Sequence, residues 1–313
     1  MEYGVLILER QLLRKQYELK VQNIVILYIL HLLMKVNFAG HGEEIFMCRY
    51  FLKRILRQKT FYIAVLAGSI LAVGHIIKDV LPYTDPGLGH SPYTKWIESY
   101  SPSVFSGIFF MLMPLLASMA MAHLYRQDAN QQYLNFIVVK GRKKEYFTWL
   151  YLLNFIIGGL TFILPILLNI YLCFMLLPDR KINFLLDITN NITLYGNDTL
   201  FPELYYQHPF CHMMIYVFLG FLTAGVFASL ALALSFYIRK VFFIWLVPFV
   251  ICYVYETILC ALIPNGGRRF CPTSFVIQVD AGVQPAGVIA FLILGFVLPV
   301  ILYIWSVRKH EVY

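Results

Sequence analysis

The chain has 313 residues, 60% of them hydrophobic and 13% charged, with a mean hydropathy of +0.69. A soluble domain runs at about 45–50% apolar and about 25% charged, so a water-soluble globular fold is excluded and an all-α, polytopic membrane protein is expected. The formal charge of +8 does not indicate nucleic acid, because the basic residues sit at the ends of apolar runs and not in one stripe; no nucleic-acid partner is expected.

The first 46 residues fit poorly with the rest. Residues 21–38 are apolar for nearly the length of a short span, but Gln22, Asn23, His31 and Lys35 interrupt them and no A-x-A cleavage site follows. Segment 1–46 therefore reads as an N-terminal extension: a weak extra span, an interfacial helix, or a stretch ahead of a natural start at Met47. Gly42-Glu43-Glu44 can be encoded by a purine-rich run like a bacterial ribosome-binding site, with Ile45-Phe46 as the spacer.

In residues 47–59, Met47, Tyr50, Phe51, Ile55 and Leu56 share one helical face, while Arg49, Lys53, Arg54 and Arg57 lie on the other. That pattern predicts an amphipathic helix lying on an anionic lipid surface. The first span is expected over about 60–77, where Ala64-x3-Gly68-x3-Ala72 leaves a flat groove for another helix backbone. A breaker-rich outer loop follows over 80–104, and the second span covers about 105–124, with Pro114 as a kink site.

Residues 125–151, YRQDANQQYLNFIVVKGRKKEYFTWLY, form a polar, basic island between two apolar segments. Charges such as Arg126, Asp128, Lys140, Arg142, Lys143, Lys144 and Glu145 would each cost roughly 2.5–3.5 kcal/mol in hydrocarbon, so the island lies in water. Tyr133, Leu134, Ile137 and Val138 recur at helical spacing and give it an apolar stripe, so a helical hairpin with something packed against the stripe is expected. Tyr146, Phe147 and Trp149 are placed as an aromatic belt at the membrane surface.

The remaining spans are expected at about 149–177, 210–238, 241–263 and 285–305, the fourth being rich in small residues suited to central packing or a subunit interface. From Met47 onward, fourteen Lys and Arg fall on the hairpin side and six on the other. This asymmetry places both termini in the cytoplasm. Cys48, Cys173, Cys211, Cys252, Cys260 and Cys271 show neither metal-binding spacing nor a disulfide framework; Cys211 and Cys271 are the pair to be tested for a bridge.

No phosphate-binding loop, His-Glu-x2-His or Gly-x-Ser-x-Gly motif occurs, so the chain is expected to be no enzyme and to bind no cofactor of its own. Glu256 is the carboxylate set well inside an apolar segment. Two roles stay open for it: a proton-linked or substrate-contacting group, or a structural carboxylate hydrogen-bonded by tyrosines near the outer interface.

Three stretches carry a resemblance from Met47 to the C-terminus: RYFLKRILRQK before the first span, RQDANQQYLNFIVVKGRKKEYF after the second, and GVFASLALALSFYIRKVFFIWLVPFV across the fourth and fifth. Together they resemble the type 2 permease family of ATP-binding-cassette (ABC) exporter membrane subunits. That resemblance implies a six-helix half-transporter whose hairpin is a coupling helix docking on a separate ABC ATPase, which would carry the ATP and Mg, and which pairs with a second permease subunit as a homo- or heterodimer. Asp128 would open the coupling helix, with Tyr133, Leu134, Ile137, Lys140, Arg142 and Lys143 on the docking surface. Lys140-Gly141-Arg142 stands where many relatives have a proline-containing turn. The expected location is a bacterial cytoplasmic membrane. The alternative from another class is a stand-alone secondary carrier that uses Glu256 for proton coupling.

Overall fold

The computed structural model describes residues 44–84, 90–99, 103–134, 143–179, 182, 199–264, 266–279 and 284–309. The chain divides into two units, Met1–Phe46 and Met47–Tyr313, and the architecture below is that of the second. The expected span at 21–38 lies outside the described residues, as do Ile137, Val138, Lys140, Gly141 and Arg142.

The described residues are helical and contain no strand. An amphipathic helix α1 (Glu44–Ile55) leads into α2 (Lys59–His75), which continues through a wider π-helical turn (Ile76–Val80) and a tighter 3-10 turn (Leu81–Tyr83). A short helix α3 (Pro92–Lys95) precedes α4 (Val104–Met111), α5 (Met113–Met119) and α6 (Leu124–Asn130). Then follow α7 (Lys143–Leu176), α8 (Pro202–Gln207), α9 (Pro209–Leu234), α10 (Val241–Leu262), α11 (Pro272–Val276) and α12 (Pro285–Lys309).

Among the described residues five helices are long and apolar enough to cross a membrane: Lys59–Tyr83, α7, α9, α10 and α12. A sixth span results if α4 and Met113–Asn130 are taken as one helix bent by 50° at Leu112. Pro114 causes the bend: it lies in the first turn of α5, where its missing N–H costs nothing, and Leu112 just ahead of it has φ -82° and ψ -4°. The chain is thus a multi-pass helical membrane protein. With 34 residues, α7 is about 50 Å long, well beyond the hydrocarbon thickness, so the polar Lys143-Lys144-Glu145 start projects from the apolar layer.

The packing of the bundle follows from small residues. Ala64, Gly68 and Ala72 of α2 are buried against α7, and a Cβ on Gly68 would come within 2.6 Å of Pro165 Cγ. The groove expected from the sequence is therefore filled by the proline of α7. At the α7–α9 contact Gly158 meets Ala228, and Asn154 Nδ2 donates to the Ala228 carbonyl at 2.8 Å. Helix α9 is the central element, touching α5, α7, α10 and α12. By contrast, α2, α10 and α12 each turn a wide apolar face outward, including Leu66, Ile70, Tyr253, Leu262, Leu294 and Ile301. In a bilayer those faces meet lipid or another chain.

Two apolar clusters divide the bundle along its length. One, at the hairpin end, joins Phe51 and Ile55 to Tyr125, Tyr146, Leu150, Phe236, Ile244 and Tyr303. The other holds Trp96, Ile97, Phe109, Phe110, Phe162, Tyr216, Phe275 and Val276. The second cluster takes in part of the breaker-rich stretch after the first span. Trp96, Ile97 and Glu98 are fully buried. The sequence concealed this because prolines and glycines erase the periodicity by which burial is read.

Candidate functional site at the hairpin end

Where the second span leaves the bundle, α6 ends at Asn130 and Gln132 adopts a left-handed backbone, φ 59°. This reverses the chain and brings Tyr133 back over α1, where its ring stacks on Tyr50 at a centroid separation of 5.8 Å. Tyr133 and Leu134 are half-buried and pack on the hairpin-end cluster. The first part of the stripe is therefore partly covered by α1 of the same chain.

Asp128 is the centre of this region. Its carboxylate pairs with Arg54 of α1 at 2.5 Å and accepts the hydroxyl of Tyr146 from α7, also at 2.5 Å. Asp128 is 1% exposed at its side chain and Arg54 19%. Burial works against the charge on Arg54, but the carboxylate beside it more than offsets this, and the guanidinium is held protonated above its usual range. Burial likewise pushes the Tyr50 hydroxyl up to about 12, with Tyr133 adding to the shift, so Tyr50 stays a neutral partner to Arg54 at 3.4 Å.

Around the pair runs a chain of polar contacts. Arg54 Nη2 donates to Gln127 Oε1 at 3.4 Å and Gln58 Nε2 to the same oxygen at 3.1 Å. Gln58 Oε1 then meets His123 Nε2 at 2.9 Å, and Trp245 Nε1 of α10 donates to His123 Nδ1 at 3.4 Å. A neutral His123 with its proton on Nε2 satisfies both contacts. One connected network thus ties α1, α6, α7 and α10 at this end. Its members are held by one ion pair and a run of side-chain hydrogen bonds.

Two expectations are corrected here. Arg54 does not lie on the water-facing side of α1 but turns inward to Asp128, and α1 ends at Ile55, leaving Leu56 exposed. Tyr146 is no belt residue; it is fully buried beneath Asp128. Lys143, by contrast, stands at the first residue of α7, half-buried.

Glu256 is not brought together with these groups. It lies in the second half of α10, where its Oε1 accepts from Thr273 N at 3.0 Å and Thr273 Oγ1 at 2.6 Å. Its partners are thus Thr273 atoms of α11 and not the neighbouring tyrosines. Cys211 is exposed and Cys271 buried, each as a free thiol, and Cys271 Sγ rests 3.6 Å from the Gly267 carbonyl. Sequence reading missed Arg54 and Glu98. For Arg54 there was a signal, since its position between Phe51 and Ile55 borders the apolar face of α1.

Comparison with protein-family models, curated proteins and solved structures finds no match to this chain.

Proposed function

We propose that this chain is the membrane-spanning permease subunit of an ATP-binding-cassette exporter, moving a substrate out of the cell with the energy of a separately encoded ATPase. The observation that carries the reading is the Arg54–Asp128–Tyr146 node. It joins an amphipathic helix, the start of the hairpin and the long third span where a soluble motor would have to push. A half-covered apolar pair, Tyr133 and Leu134, sits beside the node and continues in sequence toward Ile137 and the basic Lys140, Arg142 and Lys143. An ATPase groove that covers this strip would add burial worth roughly 1.5–3 kcal/mol per large apolar side chain. A second permease subunit would cover part of the outward apolar faces of α2, α10 and α12.

The second reading, a carrier that uses Glu256 for proton coupling, would act through a carboxyl whose Oε1 accepts both hydrogen bonds from Thr273. The test is co-expression with a candidate ABC ATPase and purification through a tag on this chain. Stoichiometric recovery of the ATPase is expected. A chain that purifies alone and transports in vesicles without ATP would return the reading to a carrier.

A further inference from the structure

At the end of the bundle away from the hairpin, the segment containing α3 folds inward and is fastened from every side. Trp96 Nε1 donates to Gln278 Oε1 at 2.6 Å, Gln278 N to the Glu98 carbonyl at 2.7 Å, and Ile97 N to Asn169 Oδ1 at 2.9 Å. Ser106 Oγ donates to the Ile97 carbonyl at 2.7 Å and Ser99 Oγ to the Trp96 carbonyl at 2.6 Å. Behind Gln278, its Nε2 meets His212 Nδ1 at 2.8 Å, and His212 Nε2 lies 2.7 Å from the Leu200 carbonyl. Most of this layer is satisfied, but His75 Nε2, Ser91 Oγ and, above all, Glu98 are left without hydrogen-bond partners. The Glu98 side chain is fully buried and neither carboxyl oxygen has a hydrogen-bond partner. It points at α9, where a Cβ on Gly220 would stand 3.5 Å from Glu98 Oε1, between Phe162 and Val276.

A carboxylate in such a position would be an uncompensated buried charge, among the costliest groups a protein interior can hold. The described elements around it supply no counter-charge. From α9 come Tyr216, whose hydroxyl is taken by Thr199 and Leu200, and His212, bound as above. From α7 comes Cys173, against the Lys95 carbonyl, and from α2 comes His75, held by Asn169. Asp79 is tied to Ser103, and Lys95 lies over the Tyr83 ring at 4.2 Å. The segment of α11 adds Cys271, Arg268 and Arg269, but no cation offsets the burial of Glu98, whose carboxyl is held well above the usual range by desolvation alone. Nor do the described residues contain a group of three His, Cys, Asp or Glu side chains able to hold a metal.

We propose that Glu98 is a proton-binding site: a neutral carboxylic acid sealed beneath this layer, which loses its proton only when the layer parts and water reaches it. On opening, the carboxyl O–H bond breaks, the proton passes to water and a hydrated carboxylate remains. Closing requires a proton to be taken up again, so pH on that side biases the layer, acid favouring the closed form. The site stands whether or not an ATPase docks at the other end.

Infrared difference spectroscopy on the purified full-length chain reads this directly. The wild type is expected to show a carboxylic-acid C=O stretch at neutral pH that is lost in Glu98→Gln and kept in Glu256→Gln. Thermal midpoints give a second readout. Because the folded state keeps a proton that the unfolded chain releases, the Glu98 contribution to stability is fully present below the ordinary carboxylate pKa and is lost as pH rises above it; Glu98→Gln removes that component. Identical carboxylic-acid bands in wild type and Glu98→Gln would overturn the proposal. Should Glu98→Gln fail to accumulate, the wild-type titration alone decides, since absence of any carboxylic-acid band at neutral pH contradicts it.

Discussion

Arg54 of α1 and Asp128 of α6 meet in a 2.5 Å ion pair whose carboxylate is also hydrogen-bonded by Tyr146 of α7. The pair joins the amphipathic helix before the first span to the end of the second, so α1 is held by protein contacts and not by lipid charge alone. Removing one partner of a buried pair leaves the other charge uncompensated at a cost of about 3–5 kcal/mol, whereas removing both is far milder. Asp128→Ala is therefore expected to lower the thermal midpoint in detergent much more than the double variant Arg54→Met with Asp128→Leu. Equal or additive losses would show that the pair contributes nothing by being a pair.

Tyr146→Phe tests the third member. The ring stays and only the hydroxyl that donates to Asp128 is lost, so a cost of about 1.5–3 kcal/mol is expected, smaller than that of Asp128→Ala. A thermal midpoint equal to wild type would mean the hydroxyl is not bound there.

The spans were legible because long apolar runs bounded by Lys and Arg admit few other readings, and the bend at Leu112 was announced by Pro114. Ala64, Gly68 and Ala72 likewise foretold a close helix contact, though not that Pro165 would fill it. Arg54 and Glu98 were not legible in their roles. A side chain at the edge of an apolar stripe turns outward or inward according to a partner remote in sequence, and a carboxylate in a proline-rich stretch is buried only by tertiary closure. Of the residues expected on a docking surface, Asp128 is bound inside the chain, while Tyr133 stacks on Tyr50 of α1 and Leu134 is half-buried against the hairpin-end cluster.

Helix packing gives a paired prediction. A Cβ on Gly158 would fall 2.3 Å from Ala228 Cβ, whereas one on Gly107 meets nothing within 4 Å. Gly158→Ala is expected to cost about 1–3 kcal/mol through forced separation of α7 and α9, and Gly107→Ala nothing comparable. Detergent melting curves compare the two; similar curves would contradict this helix contact.

Glu256 is expected to act as a clasp for α11. With Cys271 2% exposed and its thiol pushed up to about 12, chiefly by burial, alkylation of the native protein should mark Cys211 and spare Cys271. Glu256→Ala, which frees Thr273, should expose Cys271 to the reagent, and Glu256→Gln, which keeps an acceptor oxygen, should do so much less. Unchanged protection in Glu256→Ala would remove the clasp.

The central claim, that the hairpin carries a soluble ATPase, is tested most directly by the amount of ATPase that co-purifies with Leu134→Asp compared with wild type and with Lys144→Gln. Leu134 is half-buried against the hairpin-end cluster, and Lys144 is exposed in the first turn of α7. Leu134→Asp is expected to release the ATPase while the chain remains in the membrane with Cys271 still shielded, and Lys144→Gln to keep it bound. Wild-type ATPase stoichiometry and transport in Leu134→Asp, or loss of ATPase in Lys144→Gln alone, would contradict the account.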